Sequence, residues 1–158
     1  MNSKAASTNA RYLALLQLLR TAETLWNSSR IFFDRWNLSP SQFNILNVLH
    51  SHSDGCTQVE LSRLLIMHRS NVTGLVDRLE KRGLLQRKDN PSDRRAYKVV
   101  LTTAGRKLIE KILPDYYAAA EKIWENFPAA RTKQLVGDLE KLSKNIAAFS
   151  QTHLEKHS

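Results

Sequence analysis

The chain has 158 residues, 42% of them hydrophobic, with 24 Lys and Arg against 15 Asp and Glu for a formal net charge of +9. That length and apolar content suit an ordinary soluble domain with its own core, and no stretch approaches the roughly 18 apolar residues of a membrane span. The single cysteine, Cys56, excludes an intrachain disulfide framework. The apolar run Tyr12 to Leu16 is broken by Gln17 and edged by Arg11 and Arg20, which is no export signal, so a cytoplasmic protein is expected.

The charge is unevenly placed. Thirteen Lys and Arg against six Asp and Glu lie between Thr57 and Lys111, so seven of the nine net positive charges occupy about a third of the chain. A basic balance confined in this way fits one region that neutralises a polyanion and flanks that do something else.

Residues 1–8 are small and polar and read as a loose tail. From Asn9 to about Arg35, Leu13, Leu16, Leu19, Leu25, Trp26, Phe32 and Phe33 recur near helical spacing without Gly or Pro, which predicts a long, strongly apolar helix. Ser39-Pro40 supplies an N-cap and a proline at the first helical position for a second helix ending at Ser53-Asp54-Gly55. Thr57-Gln58-Val59-Glu60 has capping-box form and opens a short third helix.

A fourth helix, about Arg69 to Arg82, places Val72, Leu75, Val76 and Leu79 inward and stops at Gly83, where a left-handed cap is easiest. Its opposite face is Ser70, Gly74, Asp77 and Lys81, flanked by Asn71, Thr73 and Arg78. The strand-like runs 84–88 and 97–101, joined by the turn-rich 89–95, read as a β-hairpin. Thr102 or Thr103 then caps a long fifth helix, expected to bend at Pro114, and a last helix spans about 130–151 before a tail over 152–158.

The predicted fold is mainly α with a small β-hairpin wing: a winged helix-turn-helix lobe at 39–102, flanked by long N- and C-terminal dimerisation helices at 9–36 and 104–151. Two short helices followed by a basic hairpin present one helix and one wing to the same duplex. Small Ser70, Thr73 and Gly74 let the backbone approach base edges, Arg69 and Arg78 reach phosphates, and Asn71, Lys81 and Lys98 complete the DNA-binding set. Arg94 and Arg95 at the wing tip match the negative potential of a minor groove, Arg95 as the inserted residue, with Asp93 orienting one of them. The first and last helices are too apolar to stand in water, and two-fold pairing with a second copy is the commonest way to cover such faces.

Residues Leu61 to Thr102, above all Asn71-Val72-Thr73-Gly74-Leu75-Val76-Asp77-Arg78-Leu79-Glu80-Lys81-Arg82-Gly83-Leu84 and Asp93-Arg94-Arg95 through Leu101-Thr102, resemble the MarR family of bacterial regulators. The resemblance implies a homodimer paired through its terminal helices and reading a pseudo-palindromic double-stranded operator. It also implies a repressor relieved by a small aromatic or phenolic ligand. Trp26, Arg30, Phe33, Trp36 and Phe43, near the junction of the first two helices, are the residues for such a pocket, though aromatics there are more often core. The chain departs from the family where the recognition helix begins: a serine cap is common there, and Met67-His68 stands in its place.

Other chemistry finds little support. Peroxide-sensing relatives carry a cysteine near the start of the first long helix, whereas Cys56 lies before the third with no adjacent Lys or Arg. His50, His52 and Cys56 lack a fourth metal ligand, so no metal is expected. With no phosphate-cradling loop, nucleophile elbow or His-carboxylate pair, neither an enzyme nor a cofactor is expected. The competing reading is a winged-helix protein-interaction module without specific DNA binding, which would bind its partner without steep salt dependence.

Overall fold

The structure, a computed structural model, describes residues 3–91, 93 and 96–154, and of residues 3–8, 153 and 154 it describes the backbone alone. Among the described residues, six helices and three strands follow in the order α1 (Ser3–Asp34), α2 (Pro40–Ser51), β1 (Cys56–Thr57), α3 (Gln58–Leu64), α4 (Arg69–Lys81), β2 (Leu85–Asp89), β3 (Tyr97–Leu101), α5 (Thr103–Ile123) and α6 (Ala129–Leu154). Helix α1 begins inside the stretch 1–8 expected as a tail, because its small residues carry no helix breaker. At the other end α6 continues past Gln151 to Leu154. Helix α5 runs through Pro114 as one helix.

Local chemistry sets most of these boundaries. At α2, Ser39 accepts from Gln42 N–H while the Gln42 side chain accepts from Ser39 N–H (2.9 Å), and Pro40 occupies the first turn, where its missing N–H costs nothing. At α3, Thr57 and Glu60 form the same reciprocal pair, the Glu60 carboxylate accepting from Thr57 N–H at 2.7 Å. These backbone and hydroxyl bonds hold the Glu60 carboxyl below its usual range. Helix α4 ends at Gly83, whose φ of +70° lets Gly83 N–H and Leu84 N–H turn back to the Glu80 and Leu79 carbonyls. The Thr102 hydroxyl then accepts from Gly105 N–H and donates to the Gly83 carbonyl, so one side chain both caps α5 and ties it to the end of α4.

The sheet has order β1-β3-β2 and is antiparallel throughout, with Cys56 opposite Val99 and Arg87 also opposite Val99 from the other side. The hairpin was expected; β1 was not, because two residues carry no alternation to read. It joins the sheet by pairing Thr57 with Lys98, which anchors the start of α3 to the wing.

Two compact units divide between Leu113 and Pro114. In the first, Phe43, Ile45, Leu46, Leu49, Leu61, Val72, Val76, Leu79, Leu85, Val99, Ile109 and Ile112 are fully buried. This unit therefore reaches past the expected lobe limit at 102, because the first turns of α5 contribute core residues. Gly105 permits that packing: a Cβ there would collide with the Leu84 carbonyl oxygen. The second unit contains the rest of α5 and α6, with Ile123, Trp124, Phe127, Val136, Leu139, Leu142, Ile146 and Phe149 all exposed. Tyr12, Leu13, Leu15, Leu19, Leu25, Trp26 and Ile31 on α1 are likewise exposed. No helix among the described residues is long and apolar enough to cross a membrane.

Candidate nucleic-acid interface

Helix α4 meets its surroundings on three faces. Val72, Leu75, Val76 and Leu79 point into the core, as their spacing requires. Arg69, Ser70 and Asn71 in its first turn, with Arg78 and Lys81 further on, are exposed, and Gly74 lies among them. A Cβ at Gly74 would meet only the Arg78 guanidinium, at 3.6 Å, so the absent side chain leaves open surface beside that arginine. This strip sets short or absent side chains at Ser70, Asn71 and Gly74 among the cations Arg69, Arg78 and Lys81, a composition that a major groove and its phosphates accept.

Thr73 and Asp77 belong to the flanks of the helix. The Thr73 hydroxyl lies 2.7 Å from Gln58 Oε1 of α3 and 3.1 Å from the Arg69 carbonyl, so it braces α3 against α4. Asp77, expected on the outward face, instead accepts from the Arg87 guanidinium of β2, and Glu80 accepts from the same guanidinium. The wheel angle was right to within a flank; the neighbour that claims Asp77 lies ten positions on and in another element. Arg82, at the end of α4, donates to the Asn37 carbonyl (2.6 Å) and the Trp36 carbonyl (3.4 Å), fastening the helix to the α1–α2 junction.

His68 fills the capping position where the sequence left the cap open. Its Nδ1 accepts from Ser70 N–H at 3.4 Å and stands 2.8 Å from the Ser70 hydroxyl. The turn before it holds Ile66 at a φ of +51°, with 92% of its surface exposed.

On the wing, Lys98 of β3 stands directly opposite Lys88 of β2. Two ammonium groups on adjacent strands repel each other unless an anion lies nearby, which makes Lys88 a companion to Lys98 that only the strand register reveals. Asp93 is exposed in the connecting loop, its N–H bonded to the Asn90 carbonyl and its carbonyl to Ala96 N–H. Arg94 and Arg95, the expected wing-tip contacts, lie outside the described residues.

Of the five residues expected around a ligand pocket three lie together, Phe33 neighbouring both Phe43 and Trp36, whose ring centroid is 6.5 Å away. Phe33 and Phe43 stack at 4.2 Å between ring centroids and are core, 2% and 0% exposed. Trp36 is half-buried against Phe32 and under the Arg35 guanidinium, 3.8 Å from the ring. Trp26 is exposed on α1. Arg30 instead lines an open cleft of 270 Å³ with Asp34, Asn37, Leu38, Ser39, Pro40 and Gln42.

Cys56 is buried on β1, and burial pushes its thiol pKa up, with Glu60 adding to the rise and Lys98 opposing it. A thiol kept protonated is a poor nucleophile. No cluster of three potential metal ligands occurs among the described residues.

A helix-turn-helix whose second helix carries an exposed polar, cationic strip, followed by a two-stranded wing, defines a winged helix-turn-helix DNA-binding protein. The comparisons narrow this class. Residues 36–96 match the MarR family profile. The chain is 31% identical over 114 residues to the HTH-type transcriptional regulator PapX of Escherichia coli, covering 71% of this chain and 70% of PapX. The fold superposes on S. aureus MepR in its DNA complex with a TM-score of 0.74 at 21% identity, over 85% of this chain and 97% of MepR. CouR of Rhodococcus jostii RHA1, solved with p-coumaroyl-CoA, gives a TM-score of 0.74 at 25% identity over 80% of this chain and 88% of CouR. The chain belongs to the MarR family of transcriptional regulators.

Proposed function

We propose that this regulator works as a homodimer that holds a pseudo-palindromic duplex, placing α4 of each copy in a major groove and each wing on the flanking minor groove. The observation that carries the reading is the exposed strip of α4, from Arg69, Ser70 and Asn71 through Gly74 to Arg78 and Lys81, on a helix whose other faces are occupied. Arg69 and Arg78 bind phosphates, Ser70 and Asn71 meet base edges, and Thr73 supports them from the flank. Lys98, with Lys88 across from it, binds backbone phosphate on the wing. Arg94 and Arg95 extend this surface at the wing tip, Arg95 entering the minor groove and Asp93 orienting the pair.

Dimerisation is supported by α6, where Leu135, Leu139, Leu142, Ile146 and Phe149 alternate at spacings of four and three and are half-buried or exposed. That seam is the one along which two helices pair knobs-into-holes. A dimer occupying an operator blocks the promoter it overlaps, and a small aromatic acid bound beside Arg30 shifts the population away from the DNA-competent spacing. The cleft at Arg30 and the acyl-CoA carried by CouR support the ligand.

The test is selection of bound duplexes from a random library, followed by affinity against salt concentration. A two-fold symmetric motif with a steep negative salt slope is the expected result. Shallow, sequence-blind binding would overturn it and favour a winged-helix protein-interaction module.

A further inference from the structure

Resting on the DNA-binding reading, we infer that Arg87 is a positioning residue for sequence recognition: it locks the wing to the recognition helix through two carboxylates and does not itself contact DNA. Its guanidinium lies between Asp77 and Glu80, three residues apart on one flank of α4, and pairs with both. Glu80 also accepts from Arg87 N–H at 3.0 Å. Because β2 is an edge strand of the sheet, that N–H faces away from β3, and the Glu80 carboxylate closes the open edge. One residue of β2 is thus fixed to α4 by backbone and side chain together.

The chemistry suits this role better than phosphate binding. Two acceptors already occupy the guanidinium fork, the Arg87 side chain is only 24% exposed, and its pKa is raised above the usual arginine value by the Asp77 hydrogen bond first. Asp77 and Glu80 would otherwise present two uncompensated negative charges on the helix that approaches a polyanion. The charge count of the region therefore overstates the cations available to DNA. Recognition helix and wing read different grooves, so the angle between them decides whether both engage one site; a planar fork bridging two carboxylates fixes that angle, whereas an ammonium on a flexible stem does not.

The experiment compares the full-length chain with Arg87→Lys and Arg87→Met on a library-selected duplex and on a scrambled one. Each variant is first checked for a cooperative thermal transition; Arg87→Lys keeps the charge and most of the volume should Arg87→Met fail to fold. The expected result for Arg87→Lys is a loss of about tenfold or more on the selected duplex, with at most about twofold on the scrambled one. The salt slope stays as in the parent, because no phosphate contact is lost. Hydroxyl-radical footprinting should show weaker protection of the flanking minor groove while the central major-groove contacts persist. A fall in salt slope of about one for Arg87→Met, with equal losses on both duplexes, would make Arg87 an ordinary phosphate contact and overturn the proposal. Unchanged discrimination in Arg87→Lys would overturn it as well. If the parent protein itself does not distinguish the two duplexes, the DNA-binding reading fails and the proposal falls with it.

Discussion

The winged lobe and the second compact unit carry similar apolar residues and put them to opposite use. Between Leu38 and Leu113 most large apolar side chains turn inward, Leu64, Ile66 and Tyr97 excepted, and Phe43, Leu46, Leu61, Val76, Val99 and Ile109 have no measurable exposure. Along α6, Val136, Leu139, Leu142, Ile146 and Phe149 remain exposed, and α1 shows the same habit from Tyr12 to Ile31. The lobe closes its own core because short elements and tight caps fold helices and strands back on one another. A long helix presents a stripe that its own chain covers only if another element lies beside it. The contrast separates residues that hold the lobe together from residues that their own chain leaves uncovered.

The largest effect should come from breaking the lobe. Phe43→Ala removes a fully buried ring stacked on Phe33 and should cost about 3–5 kcal/mol, seen as a lowered midpoint in urea unfolding. A loss below about 1 kcal/mol would mean that the stack is not core. Next, Leu139→Glu with Leu142→Glu should weaken self-association by about a hundredfold, close to 3 kcal/mol, while near-ultraviolet circular dichroism of the lobe is retained. An undiminished dimer in sedimentation velocity would move the interface off α6.

Smaller changes sharpen the picture inside the lobe. Glu60→Gln should cost only about 0.3–1 kcal/mol at neutral pH, because glutamine can still accept from Thr57 N–H as Gln42 does at α2 and only the charge is lost. Since folding depresses the Glu60 pKa, the ionised contribution is fully present above the carboxyl's unfolded value and disappears as pH falls through the lower folded value. The stability gap between parent and variant should therefore shrink on acidification, and a gap independent of pH would refute the charged cap. The smallest effect should be a gain. Ile66→Gly releases a left-handed L residue, a strain of about 1–2 kcal/mol, against a backbone entropy cost of about 0.5–1 kcal/mol. With 92% of the isoleucine surface exposed, no packing is lost, so a thermal midpoint a few degrees higher is expected; a lower one would show that Ile66 packs on something.

Much of the lobe was legible because its signals are local. Ser39-Pro40, the Thr57–Glu60 pair, the inward quartet of α4 and Gly83 each fix a boundary or a face within a few residues, and each stands where expected. Strand β1 was not legible, since two residues carry no period, and neither was the His68 cap, where imidazole is an uncommon choice. The role of the residues expected around a pocket was not legible, because spacing along α1 cannot tell a ring stacked in the core, as Phe33 is on Phe43, from a side chain that lines a cleft, as Arg30 does.

The sequence by itself determined the class of protein, the order of its helices and hairpin and most of the face of α4 that stays free, because helix periodicity, caps and charge density act over short distances along the chain. Tertiary structure alone decided which charges remain available. Asp77 left the outward face for Arg87, Arg82 turned to the Asn37 carbonyl, and Lys88 came to stand opposite Lys98. Those pairings join residues on different elements, and a carboxylate or guanidinium takes the partner that packing brings within reach, whatever its place in the chain.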